Sequence, residues 1–304
     1  MAATPTSWST PPGLDGRSRW IDLDGPVHYL DLGGPAAAPV IVCVHGLSGS
    51  SVNWSALAPL LTDRFRLLAP DLAGHGLTRS MGRGATVTDN RRLLHRFIES
   101  VSGAPVILMG NSMGGLISLA EAVAAPGVVT DLVLVAPALP FVPARPDPGV
   151  TAMLMAYSTP ILGQVMVARR RRMSPEDQVR STLTLCCADP SRVPAHIVAE
   201  HVAVARRRTE FPEINRDLNA AGRSTVTTAV RRLGAPYRRA IRSVTAPVLL
   251  LYGERDRLVP PAAARATARA NPSWSVRALP DAGHIPHVET PEVVAGAVKD
   301  WLDR

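Results

Sequence analysis

The stretch PVILMGNSMGGLISLAEAVA, residues 105–124, joins an apolar run, a glycine-rich turn and a helical pattern. Residues 105–109 are apolar without alternation, as in a strand that is buried on both faces. After the turn, apolar residues recur at helical spacing: Leu116, Ile117, Leu119, Ala120 and Val123. The stretch therefore predicts a strand, a sharp turn and a helix in succession, which is the repeating connection of a parallel α/β fold.

The turn holds Ser112 between Gly110 and Gly114, which is the pattern G-x-S-x-G. Where such a serine occupies a strained turn, the residues two positions away must lack a Cβ, because a side chain there would clash. The helix that follows directs its N–H groups and its dipole at the place where negative charge would develop. A flexible glycine loop is the simpler alternative, but the flanking strand and helix favour a nucleophile.

Further strands and helices surround this stretch along the chain. Two alternating segments on either side of Asp24 and Gly25 predict a β-hairpin. Buried strands are predicted over 40–45, 65–70, 106–110, 132–136 and 248–252, and helices over 86–101 and 291–302. Because strands and helices alternate, we predict an α/β fold with a mostly parallel central sheet flanked by helices.

The alternation stops after Pro137 and resumes near residue 244. We predict that residues 18–140 and 244–304 form the core, and that residues 141–243 form a helical lid inserted at the ends of the strands. Residues 1–17, which are rich in proline, serine, threonine and glycine, are expected to be flexible.

The net charge of +8 belongs to one segment of the 304-residue chain. Residues 141–243 carry 17 arginines against 8 acidic residues, and the remainder is nearly balanced. Within this segment the apolar run 151–168 leads directly into Arg169–Arg172. Two interpretations stay open: a lid helix whose end is solvated, or a weak peripheral association with anionic lipid or substrate. Aromatic residues make up 4% and no nucleic-acid-binding module is recognisable, so nucleic acid is not an expected partner.

The cysteine content and the N-terminal residues indicate in which cellular compartment the protein is expected. The three cysteines, Cys43, Cys186 and Cys187, are too few for a disulfide framework. The N-terminal residues lack the charged and apolar segments of a signal peptide, and Pro160 and Gly163 interrupt the apolar run 151–168. We therefore expect a soluble cytoplasmic protein.

A serine hydroxyl is a weak nucleophile and needs a base that is oriented by an acid. Candidates for both follow Ser112 in the chain. Asp256 comes just after the predicted strand 248–252, in GERDRLVP, and His284 lies in a loop before the last helix, in AGHIPHVE. The order is therefore serine, acid, histidine.

Two further motifs precede the serine, VHGLSGS (residues 44–50) and DLAGHGLT (residues 71–78). Together with GNSMGG, GERDRLVP and AGHIPHVE they have the order and spacing found in one known superfamily. The sequence resembles the α/β-hydrolase fold superfamily over nearly its whole length. Five ordered motifs are specific for the fold, but the fold hosts many chemistries, so they do not identify the substrate.

The resemblance implies a role for each motif residue. Ser112 is expected to be the nucleophile, His284 the general base and acid, and Asp256 the carboxylate that orients the histidine. The oxyanion hole is expected to consist of the backbone N–H groups of Leu47 and Met113. No metal and no organic cofactor is expected.

Four other residues compete for these roles. Glu254 lies two positions before Asp256, but superfamily members place the acid at the aspartate of this turn. His287 follows His284 by three positions, where the motif usually has an ancillary residue. His45 and His75 belong to the HG and GHG loops and are expected to be structural.

A serine at position 112 implies attack on a carbonyl, because superfamily members that attack an alkyl carbon carry aspartate there. We expect a serine hydrolase that cleaves a carboxylic ester with an apolar acyl or alcohol part. Alternatives are an acyl thioesterase or a carbon–carbon bond hydrolase of the meta-cleavage-product type, whose elbow GNSMGG resembles. Those carbon–carbon hydrolases typically have tryptophan after the catalytic histidine, whereas Ile285 stands here. A more distant alternative is a non-catalytic binding protein, which would normally show a degraded triad, whereas all three triad positions are filled here.

Overall fold

The computed structural model describes residues 10–11, 13–140, 172–230 and 235–304, and the isolated positions 142, 149, 159, 165 and 169. Most of the apolar run 151–168, most of the N-terminal segment and Arg170, Arg171 and Arg231–Arg232 lie outside these residues. The described residues include eight strands: β1 (Ser18–Asp22), β2 (Pro26–Gly33), β3 (Val40–Val44), β4 (Arg66–Pro70), β5 (Val106–Asn111), β6 (Val129–Val135), β7 (Val248–Gly253) and β8 (Ser275–Leu279).

All eight strands belong to one sheet, in the order β1-β2-β4-β3-β5-β6-β7-β8. The first two strands form the predicted hairpin, with Asp24 and Gly25 at positive φ in the turn. β2 pairs antiparallel with β4, and every pairing from β4 to β8 is parallel. The predicted α/β class and mostly parallel sheet are therefore confirmed.

The central strands are buried on both faces, so successive residues enter different cores. In β3, Val42 and Val44 pack into one apolar cluster, whereas Ile41 and Cys43 pack into the other. Each cluster lies between the sheet and a layer of helices, and each fully buried aliphatic side chain contributes about 1.5–3 kcal/mol. A strand without alternation is stable here because both faces are covered.

Helices cover the sheet and follow the carboxyl ends of its strands. They are α1 (Val87–Val101), α2 (Met113–Ala124), α3 (Pro175–Cys186), α4 (Ala195–Arg208), α5 (Ile214–Val230), α6 (Ala235–Arg242), α7 (Pro261–Ala270), α8 (Pro286–Glu289) and α9 (Pro291–Leu302). Thr86 begins α1 as predicted: its side chain accepts the Asp89 N–H, and the Asp89 carboxylate accepts the Thr86 N–H. The last helix has the predicted bounds.

Where it is described, the segment between β6 and β7 contains α3 to α6, joined by turns and loops, and no strand. Its helices contact loops at the carboxyl ends of the core strands. The Arg79–Glu213 ion pair joins the core to the residues before α5, and the Ser224 hydroxyl accepts the Val87 N–H of α1. We call residues 141–243 the insertion; that it acts as a lid stays a prediction. Among the described helices, none is long and apolar enough to cross a membrane.

Candidate active site

Ser112 stands at the junction between β5 and α2, in a backbone conformation that is rare for a residue with a side chain. Its φ is 53° and its ψ is −119°. Main-chain hydrogen bonds hold it on both sides: its N–H donates to the Val135 carbonyl, and its own carbonyl accepts the N–H groups of Leu116 and Ala138. A strained serine is therefore fixed at the carboxyl end of β5 by the neighbouring strand, the following helix and the chain after β6.

The glycines around the serine are required for close approach, as the sequence pattern predicts. A Cβ on Gly110 would lie 2.6 Å from the Gly114 carbonyl oxygen, and one on Gly114 would lie 2.2 Å from the Val44 carbonyl oxygen. Neither glycine has a positive φ; the strain is at Ser112 itself. The glycines let the first turn of α2 pack directly on β5 and on the end of β3.

Two of the three candidate catalytic residues are hydrogen-bonded to each other. The His284 Nδ1–H donates to Asp256 Oδ2 over 2.8 Å, and both side chains are almost completely buried. Because a carboxylate only accepts, Nδ1 carries a proton, so the lone pair of the neutral ring is at Nε2. The second carboxylate oxygen, Oδ1, accepts the N–H groups of Leu258 and Val259 at 2.8 and 2.9 Å. The acid thus caps its own turn while it orients the imidazole.

The histidine loop is joined to the serine turn through Asn111. The Asn111 side-chain amide donates to the Val135 carbonyl at 2.9 Å and to the His284 carbonyl at 3.0 Å. Within the described residues, no hydrogen bond joins the Ser112 hydroxyl to the His284 ring. Asn111 therefore brings the serine and histidine loops together, a role that the sequence motif did not predict.

The loop after β3 lies against the serine, where the sequence predicts one half of the oxyanion hole. A Cβ on Gly46 would lie 3.0 Å from the Cβ of Ser112, so the main chain before Leu47 contacts the serine directly. The second predicted donor, the Met113 N–H, belongs to the first residue of α2 and has no partner within that helix. Both predicted donors therefore border Ser112; their use as an oxyanion hole stays a prediction.

His45 and His75 are buried in the two loops beside the site and bond to main-chain groups. His45 donates from Nδ1 to the Gly46 carbonyl and accepts the Leu72 N–H at Nε2. His75 donates from Nδ1 to the Ala73 carbonyl. Burial lowers the pKa of His45, and it lowers the pKa of His75 well below its ordinary value. Both are neutral rings that shape loops.

His287 is fully buried, and its ring lies 4.3 Å from that of Trp54. Neither of its ring nitrogens has a hydrogen-bond partner within the described residues. Burial, with the neighbouring His284 and His201 adding to its effect, lowers the pKa of His287 to about 3. It lacks the carboxylate partner that His284 has, so the geometry favours His284 as the base.

The depressed pKa of His287 predicts a loss of stability in acid. In the unfolded chain His287 takes up a proton near pH 6.5, whereas in the folded chain it does so only near pH 3. The stability that the neutral His287 ring contributes is therefore present above pH 6.5 and is lost as the pH falls. Between pH 7 and pH 5 the loss from this one group is about 2 kcal/mol. When unfolding by urea is measured at both pH values, the free energy of unfolding of His287→Gln should therefore differ less between them than that of the wild type.

The exposed His196 supplies the control for this measurement. His196→Gln should keep the wild-type difference between pH 7 and pH 5. An unchanged difference in His287→Gln would mean that His287 titrates normally in the folded protein.

A buried carboxylate, Glu289, ties the histidine loop to the insertion. It accepts the N–H groups of Gly283, Ala188 and Asp189 at 2.9, 3.1 and 2.7 Å. Beside it, the His284 N–H donates to the Cys186 carbonyl over 2.6 Å. A stretch of the insertion after α3 therefore forms one wall of the histidine loop.

A second buried acid organises the loops on the other side of the site. Asp71 accepts from His28 Nδ1 at 2.7 Å and from the N–H groups of Ser51 and Leu77. Burial opposes its charge, but the interactions with His28 and His45 and the Leu77 N–H together outweigh burial and lower the pKa of Asp71 to about 2. Asp71 is the first residue of the motif DLAGHGLT, which was the one signal for it in the sequence. Among the described residues, no three His, Cys, Asp or Glu side chains are grouped as a metal site would need.

Comparison with known proteins agrees with the fold. A model of the alpha/beta hydrolase family matches residues 41–297. The pimeloyl-[acyl-carrier protein] methyl ester esterase of Aromatoleum aromaticum is 30% identical over 276 residues, which cover 86% of this chain and 97% of that protein. The 2-(acetamidomethylene)succinate hydrolase of Mesorhizobium japonicum is 25% identical over 268 residues, 88% of this chain and 89% of the relative.

A solved structure has the same fold. The crystal structure of Cfl2 from Burkholderia cenocepacia superposes with a TM-score of 0.78 at 23% identity, and the match covers 96% of this chain and 99% of that one. Since the family model spans most of the sequence and the sheet has the matching topology, this chain belongs to the alpha/beta hydrolase family.

Proposed function

We propose that this protein is a serine hydrolase that cleaves a carboxylic ester through an acyl-enzyme intermediate. The observation that carries the proposal is the strained Ser112 at the end of β5, which is joined through Asn111 to the hydrogen-bonded pair His284 and Asp256. This arrangement offers a nucleophile, a base with a free lone pair, and an acid that orients the base.

In the first half of the reaction, the Ser112 hydroxyl attacks the ester carbonyl while His284 Nε2 takes its proton. Negative charge develops on the carbonyl oxygen, which accepts hydrogen bonds from the N–H groups of Leu47 and Met113. Asp256 stabilises the imidazolium that forms. When the tetrahedral intermediate collapses, the bond to the alcohol oxygen breaks, and His284 gives its proton to the leaving alcohol.

In the second half, water hydrolyses the acyl-enzyme by the same path. His284 Nε2 takes a proton from the water, whose oxygen attacks the acyl carbonyl, and the same N–H groups hold the oxyanion. Collapse returns the proton to the Ser112 oxygen and releases the carboxylic acid. Apart from the ester and this water, every group that takes part is a side chain or a main-chain group of this chain.

Two further features support an ester with an apolar part. Leu47 follows Gly46, which packs against Ser112, and its aliphatic side chain is 40% exposed. A relative of 30% identity bears the name of a methyl ester esterase. Thioesters react by the same steps, so an acyl thioesterase is the nearest variant of the proposal.

A substrate panel tests the proposal. The purified protein is assayed with p-nitrophenyl esters of increasing acyl length, with matched acyl thioesters and with a vinylogous diketone acid. We expect kcat/KM for the best ester to exceed that for the diketone acid by roughly 100-fold, since only a site shaped for the diketone stabilises its transition state. The reverse order would replace ester cleavage by carbon–carbon bond hydrolysis, and preference for every thioester over its ester would make the protein a thioesterase.

A further inference from the structure

The loop that carries Leu47 is a tight turn with a residue in an unfavourable conformation. Gly49 donates its N–H to the Gly46 carbonyl over 3.0 Å, which closes a turn over residues 46–49. Ser48, the third residue of this turn, has a φ of 63°. Turns that need a positive φ at this position normally use glycine or asparagine, so a serine there makes the turn strained. Such a turn needs support from outside itself.

The support comes from the insertion, about 160 residues further along the chain. Arg208, the last residue of α4, donates from Nη1 to the Ser48 carbonyl over 3.0 Å. In α5, Gly222 passes the same loop so closely that a Cβ on it would lie 3.4 Å from Leu47 Cδ2. Two helices of the insertion therefore hold the turn between β3 and the 3-10 helix Ser51–Trp54.

Arg208 differs in its contacts from the two arginines that precede it. Arg206 pairs with Glu176 and Arg207 pairs with Glu210, so both contact carboxylates within the insertion. Arg208 instead contacts a main-chain carbonyl of the core. Its charge also reaches His45 and His75, where it adds to the lowering of the pKa by burial. The guanidinium is therefore close to the loops that border Ser112.

The hydrogen bonds of the turn form a continuous chain from Arg208 to Leu47. The Ser48 carbonyl and the Gly49 N–H belong to one peptide group, and the Gly46 carbonyl and the Leu47 N–H belong to another. Both peptides are trans, so the N–H of each points opposite to its carbonyl. Arg208 donates to the Ser48 carbonyl, and the Gly49 N–H of the same peptide donates to the Gly46 carbonyl. The N–H on the other side of that second peptide, from Leu47, is the one offered to the substrate.

We infer that Arg208 is a positioning residue for the oxyanion hole: through two peptide groups it fixes and polarises the Leu47 N–H. Hydrogen bonds in such a chain strengthen one another, and a charged donor at one end makes the N–H at the other end a better donor. The Gly46 carbonyl also accepts from His45 Nδ1, which keeps the second peptide plane in place from its other side. The inference rests on the proposed function, because it assigns this N–H to the developing oxyanion.

The test compares Arg208→Met with Arg206→Met, a matched change two residues earlier at the same helix end. Arg208→Met keeps the aliphatic stem but removes the donor, so kcat for the best ester should fall about tenfold while KM stays within about twofold. The inhibition constant of a boronic acid, whose tetrahedral adduct occupies the oxyanion hole, should rise by about the same factor as kcat falls. Arg208→Lys keeps a charged donor and should recover kcat to within about threefold of the wild type. Arg206→Met should keep both constants.

Several outcomes would overturn the inference. One is an unchanged kcat in Arg208→Met, and another is a change confined to KM, which would place Arg208 on the substrate instead. If Arg208→Met does not fold, Arg208→Gln decides, because its shorter side chain cannot reach the Ser48 carbonyl and should show the same loss. Failure of the proposed function is distinct: the wild-type protein would then show no ester turnover that depends on Ser112.

Discussion

Replacing Ser112 with alanine is expected to lower kcat for ester hydrolysis by about 10⁶-fold, because in the proposed mechanism the hydroxyl oxygen forms the acyl-enzyme. The fold should be unaffected. A serine and an alanine pay the same strain at a φ of 53°, since the strain comes from the Cβ. Within the described residues the hydrogen bonds of Ser112 are all main-chain ones, so its side chain does not support the fold through a hydrogen bond.

Three measurements on Ser112→Ala check this expectation. Ester turnover should vanish, a serine-directed fluorophosphonate should no longer label the protein, and the thermal unfolding midpoint should stay within a few degrees of the wild type. Ser102→Ala, which changes a serine at the end of α1, is the control and should keep activity and labelling. A Ser112→Ala protein that turned over ester at the wild-type rate would mean that another group is the nucleophile.

Asp256→Asn should have the second largest effect, a fall in kcat of about 10⁴-fold. The turn after β7 decides how the new amide points. Leu258 and Val259 donate two N–H groups to Oδ1, so the amide oxygen of asparagine is drawn to that position and the NH₂ group faces His284. His284 Nδ1 must then accept, which moves the ring proton to Nε2. A protonated Nε2 cannot take the proton of Ser112.

The competing acid supplies the control for this experiment. Glu254 is exposed and pairs with Arg265 at 2.8 Å, away from the histidine. Glu254→Gln should therefore keep kcat within about twofold of the wild type, as expected for a surface ion pair. If Glu254→Gln lost activity and Asp256→Asn kept it, the assignment of the acid would have to be reversed.

Elements with a strong local pattern could be predicted from the sequence, and β6 marks where this fails. The apolar run indicated a start at residue 132, whereas the strand begins at Val129. Thr130 is exposed and Asp131 is half-buried, so these two residues hide the apolar pattern, and the pairing with β5 shifts register at this point. The extra residues are held by main-chain pairing, which leaves no trace in side-chain polarity.

The same reason separates what the sequence could and could not predict at the site. Ser112, Asp256 and His284 belong to motifs with distinctive residue types, and the structure places Asp256 against His284. The contacts of Glu289 and Arg208 could not be foreseen, because their partners are backbone groups of Ala188, Asp189 and Ser48. Any residue has an N–H or a carbonyl, so long-range bonds of this kind have no sequence signature.

The wall that residues 186–189 form along the histidine loop limits how this protein can be recombined with its relatives. A chimera that exchanged residues 141–243 as a block would keep the contact with the Cys186 carbonyl and two of the three N–H donors to Glu289 only if the new segment followed the same main-chain path there. On another path the carboxylate would be left buried with one donor, which is strongly destabilising for a charge. A graft that alters the substrate range must therefore reproduce the main-chain path of residues 186–189, whatever side chains it carries at these positions.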